Sequence, residues 1–414
     1  MKAEILSNID NPRQLEQLYR QNASAFKHQF NLLYPELKDH PLARFWKERL
    51  NYEGEEVHWG SARDTSFVLI AAVLAGFIAK LPVFFHLDEA AFYQRNIGFI
   101  IFPFLILYFA WKNRVTTSSV LFLIAALLVS VFYINVLPSF PQSDSLLLAC
   151  LHLPLFLWCL LGFAYSEGSL KNHPKRLGFL RYNGDLAVMT AILVLAGVLL
   201  TGVTIGLFSL IGWNIEEFYI ENVVVFAAAA LPLAGTYLTQ TNPQLVNKVS
   251  PVIAKLFSPL VLVTLLAYLA AILISGKDPY NDREFLLTFN ALLVGVMAII
   301  LFSVAGTSLP ARNRPEAFIL FGLSLVTILV NGIALSAIVF RISEWGFTPN
   351  RVAVLGGNLL ILANLILVTV KLFGVLRRKS DPAAVGMAIA GFLPVYAAWA
   401  FVVTFLLPLV FRFA

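Results

Sequence analysis

The sequence predicts an all-α, polytopic transmembrane bundle preceded by a short helical segment. Three observations carry this reading. Apolar runs of eighteen or more residues recur from Thr65 onward, each long enough to cross a bilayer as a helix. Only 13% of residues are charged and mean hydropathy is +0.78, whereas a soluble chain is about a quarter charged. The runs also lack the apolar–polar alternation of a membrane barrel strand.

Residues 1–64 form the first predicted domain, polar and mixed in charge. They contain no apolar core of secretory type, so the first span is expected to act as the targeting signal. Asn11 can cap a helix with Pro12 in its first position and Gln14 completing a capping-box-like pattern. Leu15, Leu18, Tyr19, Phe26, Phe30 and Leu33 continue at helical spacing until Pro35. A second helix from Pro41 places Leu42, Phe45, Trp46 and Leu50 on one side. These faces suit packing within the protein, docking of a protein partner, or the lipid interface.

The membrane domain is residues 65–414, with eleven predicted spans at about 65–86, 97–111, 117–137, 145–165, 186–211, 222–240, 256–275, 285–305, 316–340, 350–374 and 384–411. With the N-terminus cytoplasmic, the inner connections hold 14 basic residues and the outer side 7. The positive-inside rule therefore predicts a cytoplasmic N-terminus and an outer C-terminus. The net charge of +6 is spread over loops, which argues against a nucleic-acid partner.

The spans carry few groups for chemistry. No carboxylate lies near the middle of a predicted span, although Asn135, Asn290, Asn331, Asn358, Asn364 and His152 do fall within spans. Ser324, Thr327 and Asn331 share one helix face, and Gly357, Asn364 and Lys371 share another. Buried amides serve interhelical hydrogen bonds or line a polar cavity. In the fifth span Gly202 and Gly206 form a GxxxG pair, which suits close packing inside the bundle or a homo-oligomer contact. Cys150 and Cys159 lie about 13 Å apart along one helix, too far to bridge. No metal or cofactor motif occurs. His86, Asp88 and Glu89 in the first outer loop resemble the acidic pair of membrane glycosyltransferases that use lipid-linked sugars. Asp88 and Glu89 are thus weak catalytic candidates, as a base or metal ligand.

The stretch RISEWGFTPNRV, Arg341–Val352, separates two long apolar runs. Arg341 can pair with Glu344 at i,i+3. Trp345 suits the interface, Gly346 ends a helix, and Thr348 with Pro349 begins the next. Arg341 and Arg351 could instead bind an anionic head group from an outer cavity. Glu344, Gly346, Thr348, Asn350 and Arg351 together resemble the signature of a bacterial membrane family catalogued as domain of unknown function four-one-five-three. ENVVVFAAAALPLAG from Glu221 and FSPLVLVTLLAYLAAILISGKDP from Phe257 are similar to the same family, so the resemblance spans roughly residues 185–375. It implies a bacterial inner-membrane protein and assigns no catalytic or ligand residue.

Three functions follow from these features. The first is a non-catalytic, transporter-like or ligand- and lipid-binding membrane protein, with Arg341, Glu344, Arg351, Asn331 and Asn364 as binding candidates. The second is a lipid-modifying or glycosyltransferase-like enzyme. The third is a membrane anchor or sensor acting through the N-terminal helices.

Overall fold

A computed structural model describes residues 2–21, 23–51, 60–138, 140, 143–169, 172–247, 249–275, 290, 293–300, 303–304, 314–381 and 383–413. The chain forms two compact units, Met1–Trp59 and Gly60–Ala414. No strand occurs among the described residues.

The first unit contains α1 (Lys2–Ser7), α2 (Pro12–Gln21), α3 (Ala23–Leu33) and α4 (Pro41–Asn51). Asn11 caps α2 as its sequence suggests, its Oδ1 accepting from the Gln14 amide at 3.3 Å. The single helix expected from Pro12 to Leu33 is instead α2 and α3. The break lets both apolar faces reach Trp46 of α4, which one straight rod could not do. Tyr19 and Phe26 lie 5.6 and 5.1 Å from the Trp46 ring. Ile5, Leu15, Phe30 and Leu33 complete a fully buried core.

The second unit is an α-helical bundle. Its helices are α5 (Ala62–Ala79), α6 (Leu81–Phe85), α7 (Glu89–Lys112), α8 (Thr117–Val136), α9 (Asp144–Tyr165) and α10 (His173–Leu210). They continue as α11 (Glu216–Thr241), α12 (Val249–Ser275), α13 (Arg314–Trp345) and α14 (Pro349–Leu376), and α15 (Ala383–Val410). Among the described residues, nine of these are long and apolar enough to cross a membrane. Many large apolar side chains lie on the outer surface of the bundle, as at Leu195, Leu199 and Phe132. An outward apolar surface of this extent suits lipid, not water. The chain is an integral, multi-pass membrane protein.

Several boundaries differ from the sequence expectation. The first span stops at Ala79, because Lys80 ends α5 and Pro82 starts α6. Lys80 is 5% exposed and donates to the Glu221 carbonyl at 3.0 Å. The second span, expected to be short, is the 24-residue α7, since Asp88 caps it well before the apolar run. The fifth begins at His173 and runs 38 residues. Its polar first third is buried in the bundle, including Arg176, Tyr182 and Asp185. Asp185 is 8% exposed and lies just ahead of the predicted span at 186–211. The seventh expected span corresponds to α12. The eighth falls largely outside the described residues, of which 290, 293–300 and 303–304 are helical.

Polar contacts tie the helix ends together. Ser61 and Asp64 form the capping box of α5, and Asp64 pairs with Lys112 at 3.6 Å. The start of α5 and the end of α7 thus share one face of the bundle. The opposite face holds Ser143, which donates to the Phe413 carbonyl at 2.8 Å. Two π-helical turns, Tyr219–Val224 and Val402–Leu406, interrupt α11 and α15. Such turns shift carbonyls out of the α-helical pattern. Each has a carbonyl bonded by a neighbouring helix, Glu221 by Lys80 and Phe405 by the Tyr133 hydroxyl at 2.8 Å.

Candidate functional site

The expected site residues fall in four places. Asp88 and Glu89 are exposed. Asp88 Oδ1 accepts from the Ala91 amide at 2.7 Å, which caps α7. Glu89 follows in the first turn, where a carboxylate favours the helix N-terminus. His86 adopts φ 53° at the end of α6. The geometry gives this loop a structural task.

Arg351 sits in the turn between α13 and α14. It donates to the carbonyls of Trp345 and Gly346 at 2.8 and 2.7 Å. Arg351 and Arg341 both lie 5.7 Å from the Trp345 ring. Gly346 has φ 75°, and Thr348 caps α14 through its hydroxyl. Glu344 is exposed. Arg351 therefore closes the C-terminal end of α13, whose last carbonyls lack helical donors.

A Cβ added at Gly202 or Gly206 of α10, or at Gly197, would meet nothing within 4 Å among the described residues. Close helix packing occurs elsewhere, at Gly356 of α14, where a Cβ would approach Trp399 of α15 to 2.0 Å.

Buried amides lie on α13 and α14, and α15 packs beside them with Tyr396. Asn331 is fully buried and donates through Nδ2 to the Asn358 carbonyl at 3.1 Å. Asn358 donates in turn to Asn290 Oδ1 at 2.8 Å. Asn364, also fully buried, donates to the Tyr396 hydroxyl at 3.1 Å. Among the described residues, Oδ1 of Asn331 and Oδ1 of Asn364 have no donor, and Trp399 Nε1 has no acceptor. Thr404 Oγ1, in the π-turn of α15, is likewise buried and unpartnered. An amide oxygen removed from water without a donor costs free energy on the order of 1–3 kcal/mol. These oxygens are therefore the part of the bundle best prepared to meet a polar group.

Other amides have ordinary structural roles. Asn135 exchanges reciprocal hydrogen bonds with Asn96 at 2.8 and 3.0 Å, joining α7 to α8. His152 bonds to the Leu148 carbonyl, and Ser324 and Thr327 bond to carbonyls of their own helix. Lys371 is exposed.

Trp399, Tyr396 and Thr404 were not anticipated as site residues. Their signal was present in PVYAAWAFVVTF, where Tyr396 and Trp399 stand three residues apart on an otherwise apolar helix. Among the described residues no three His, Cys, Asp or Glu side chains come together. The gathered groups are amides, a phenol, an indole and a hydroxyl, which form hydrogen bonds at neutral pH without changing charge. Compared with known proteins, the chain matches no family model, no curated protein and no solved structure.

Proposed function

We propose that the protein is a non-catalytic, transporter-like membrane protein that binds a polar or lipidic ligand against the amides of α13 and α14. One observation carries this reading: Asn331 and Asn364 each present a fully buried oxygen with no donor among the described residues. Trp399 Nε1 on α15 is a further buried donor with no acceptor among the described residues, set against Gly356 and Gly357 of α14. Pro394 lies inside α15, and Pro103, Pro154, Pro232 and Pro259 lie inside other helices, where they free further carbonyls. We place the protein in a bacterial inner membrane, within the family its turn motif resembles. Its N-terminus is then cytoplasmic and its C-terminus outside, supported by the basic-residue asymmetry.

A high-resolution map of the protein in native lipid tests the reading. Density within hydrogen-bonding reach of Asn331 Oδ1 or Asn364 Oδ1 is expected, and it should vanish in Asn331→Leu and Asn364→Leu. A dry, filled interface at both oxygens, with both variants as stable as the parent, would sink the proposal.

A further inference from the structure

Arg176, near the start of α10, is 7% exposed. Among the described residues its guanidinium has one partner, the exposed His173 imidazole, with Nη2 3.0 Å from Nδ1. A ring nitrogen that accepts from arginine is unprotonated, so His173 engages a donor without neutralising the charge. Arg176 Nε is buried with no partner among the described residues. So is Oγ of Ser166, which follows α9 and is 1% exposed. Glu167, the adjacent carboxylate, is paired with Lys175.

Arg176 and Ser166 line a cavity of about 50 Å³, room for a few waters or a small oxyanion head group. The rest of its wall is mainly apolar, including Trp158, Phe163, Phe179, Leu393 and Pro394. It lies between the end of α9, the start of α10 and the middle of α15. Asn172 caps α10 beside it through the Lys175 amide, and a helix N-terminus adds positive potential. A buried guanidinium calls for an anion. The apolar wall disfavours a small hydrated anion and favours a chain.

We propose that this cavity binds an amphipathic anion of lipid type. Arg176 Nε–H and the Ser166 hydroxyl donate to its oxyanion head, and its apolar chain leaves the cavity beside the half-buried Trp158 and Leu393. The site is separate from the amide cluster and does not depend on the ligand reading given for it.

The test uses the full chain in an uncharged detergent, with hexadecyl phosphate as the probe and hexadecanol and inorganic phosphate as controls. Binding is read from thermal shift and from quenching of tryptophan fluorescence by a brominated version of the probe. Hexadecyl phosphate should bind at least about tenfold more tightly than hexadecanol, as a charge-assisted head-group contact requires. Arg176→Gln should abolish that preference and Ser166→Ala should weaken it. If Arg176→Gln does not fold, Ala397→Phe fills the cavity while keeping the arginine, and must abolish probe binding. Equal affinity for the phosphate and the alcohol, or full binding by Ala397→Phe, would overturn the site. Competition by inorganic phosphate at the strength of the alkyl phosphate would overturn its lipid character.

Discussion

Arg351 lies against the Trp345 ring and donates to the carbonyl of that same residue at 2.8 Å, with a second bond to Gly346. One side chain from the start of α14 thus terminates α13. This accounts for an arginine on the face expected to be outer. Arg95 acts likewise, donating to the carbonyls of Ile134 and Asn135 at the end of α8. Lys80 instead meets the Glu221 carbonyl in the π-turn near the start of α11. Cations placed at helix C-terminal carbonyls satisfy orphan acceptors and the helix dipole together.

Arg351→Gln should therefore lower stability by about 0.5–1.5 kcal/mol, the worth of partly exposed hydrogen bonds. Co-purifying lipid should be unchanged. Thermal denaturation and lipid mass spectrometry on both purified forms check this, and selective loss of one anionic lipid would restore a binding role. Gly346→Val should cost more, on the order of 1–3 kcal/mol, because φ 75° strains a β-branched residue.

Asn96 and Asn135 should be coupled. Each single change to Ala leaves its partner half-satisfied, so each is expected to destabilise by about 0.6–1.7 kcal/mol, the span measured for such bonds in membranes. The double variant should cost clearly less than the sum. Strict additivity in equilibrium unfolding would show that the two amides do not share a bond worth counting.

The fold was legible where pattern and physics coincide. Apolar length marked most of the membrane helices, and Thr348–Pro349 marked the start of α14. Helix ends set by tertiary contacts were not legible. Arg176 and Asp185 read as loop charges because sequence shows polarity but not the burial that a neighbouring helix supplies. The site was half legible: Asn331 and Asn364 stood out as amides in apolar runs. Their orphaned oxygens and the facing Trp399 depend on how α13, α14 and α15 pack, which periodicity does not encode. Gly202–Gly206 and Gly356 show the same limit. The familiar spacing is bare and the unmarked glycine is crowded.

That contrast is testable. Gly356→Ala should be severely destabilising, since its Cβ would lie 2.0 Å from the Trp399 ring, and overpacking of this kind costs about 1–3 kcal/mol or more. Trp399→Phe should rescue part of the loss. Gly202→Ala and Gly206→Ala should be neutral or stabilising by up to about 1 kcal/mol each, as expected for an exposed helix interior. A strong loss at Gly202, seen by thermal unfolding of the monomer, would show that α10 packs on something beyond the described residues.

The Ser143–Phe413 bond also constrains topology. Starting at Asp64, α5, α7 and α8 cross three times, so Ser143 lies on the face opposite the Asp64–Lys112 pair. Phe413 shares the face of Ser143, so the chain from Asp64 to the C-terminus crosses an odd number of times. Nine crossings or eleven satisfy this and ten does not. If α12 crosses, the chain must cross back before α13. Ser258 of α12 is bonded to Ser303 at 2.9 Å, as a returning helix would place it. The prediction is eleven crossings. Single cysteines at Ser143 and Arg412 should react with a membrane-impermeant thiol reagent from one side of sealed vesicles. Cysteines at Asn113 and Asn172 should react from the other. In the proposed orientation the Asn113 side is the cytoplasmic one. Labelling of Ser143 and Arg412 positions from opposite sides would break the parity argument and the eleven-span count with it.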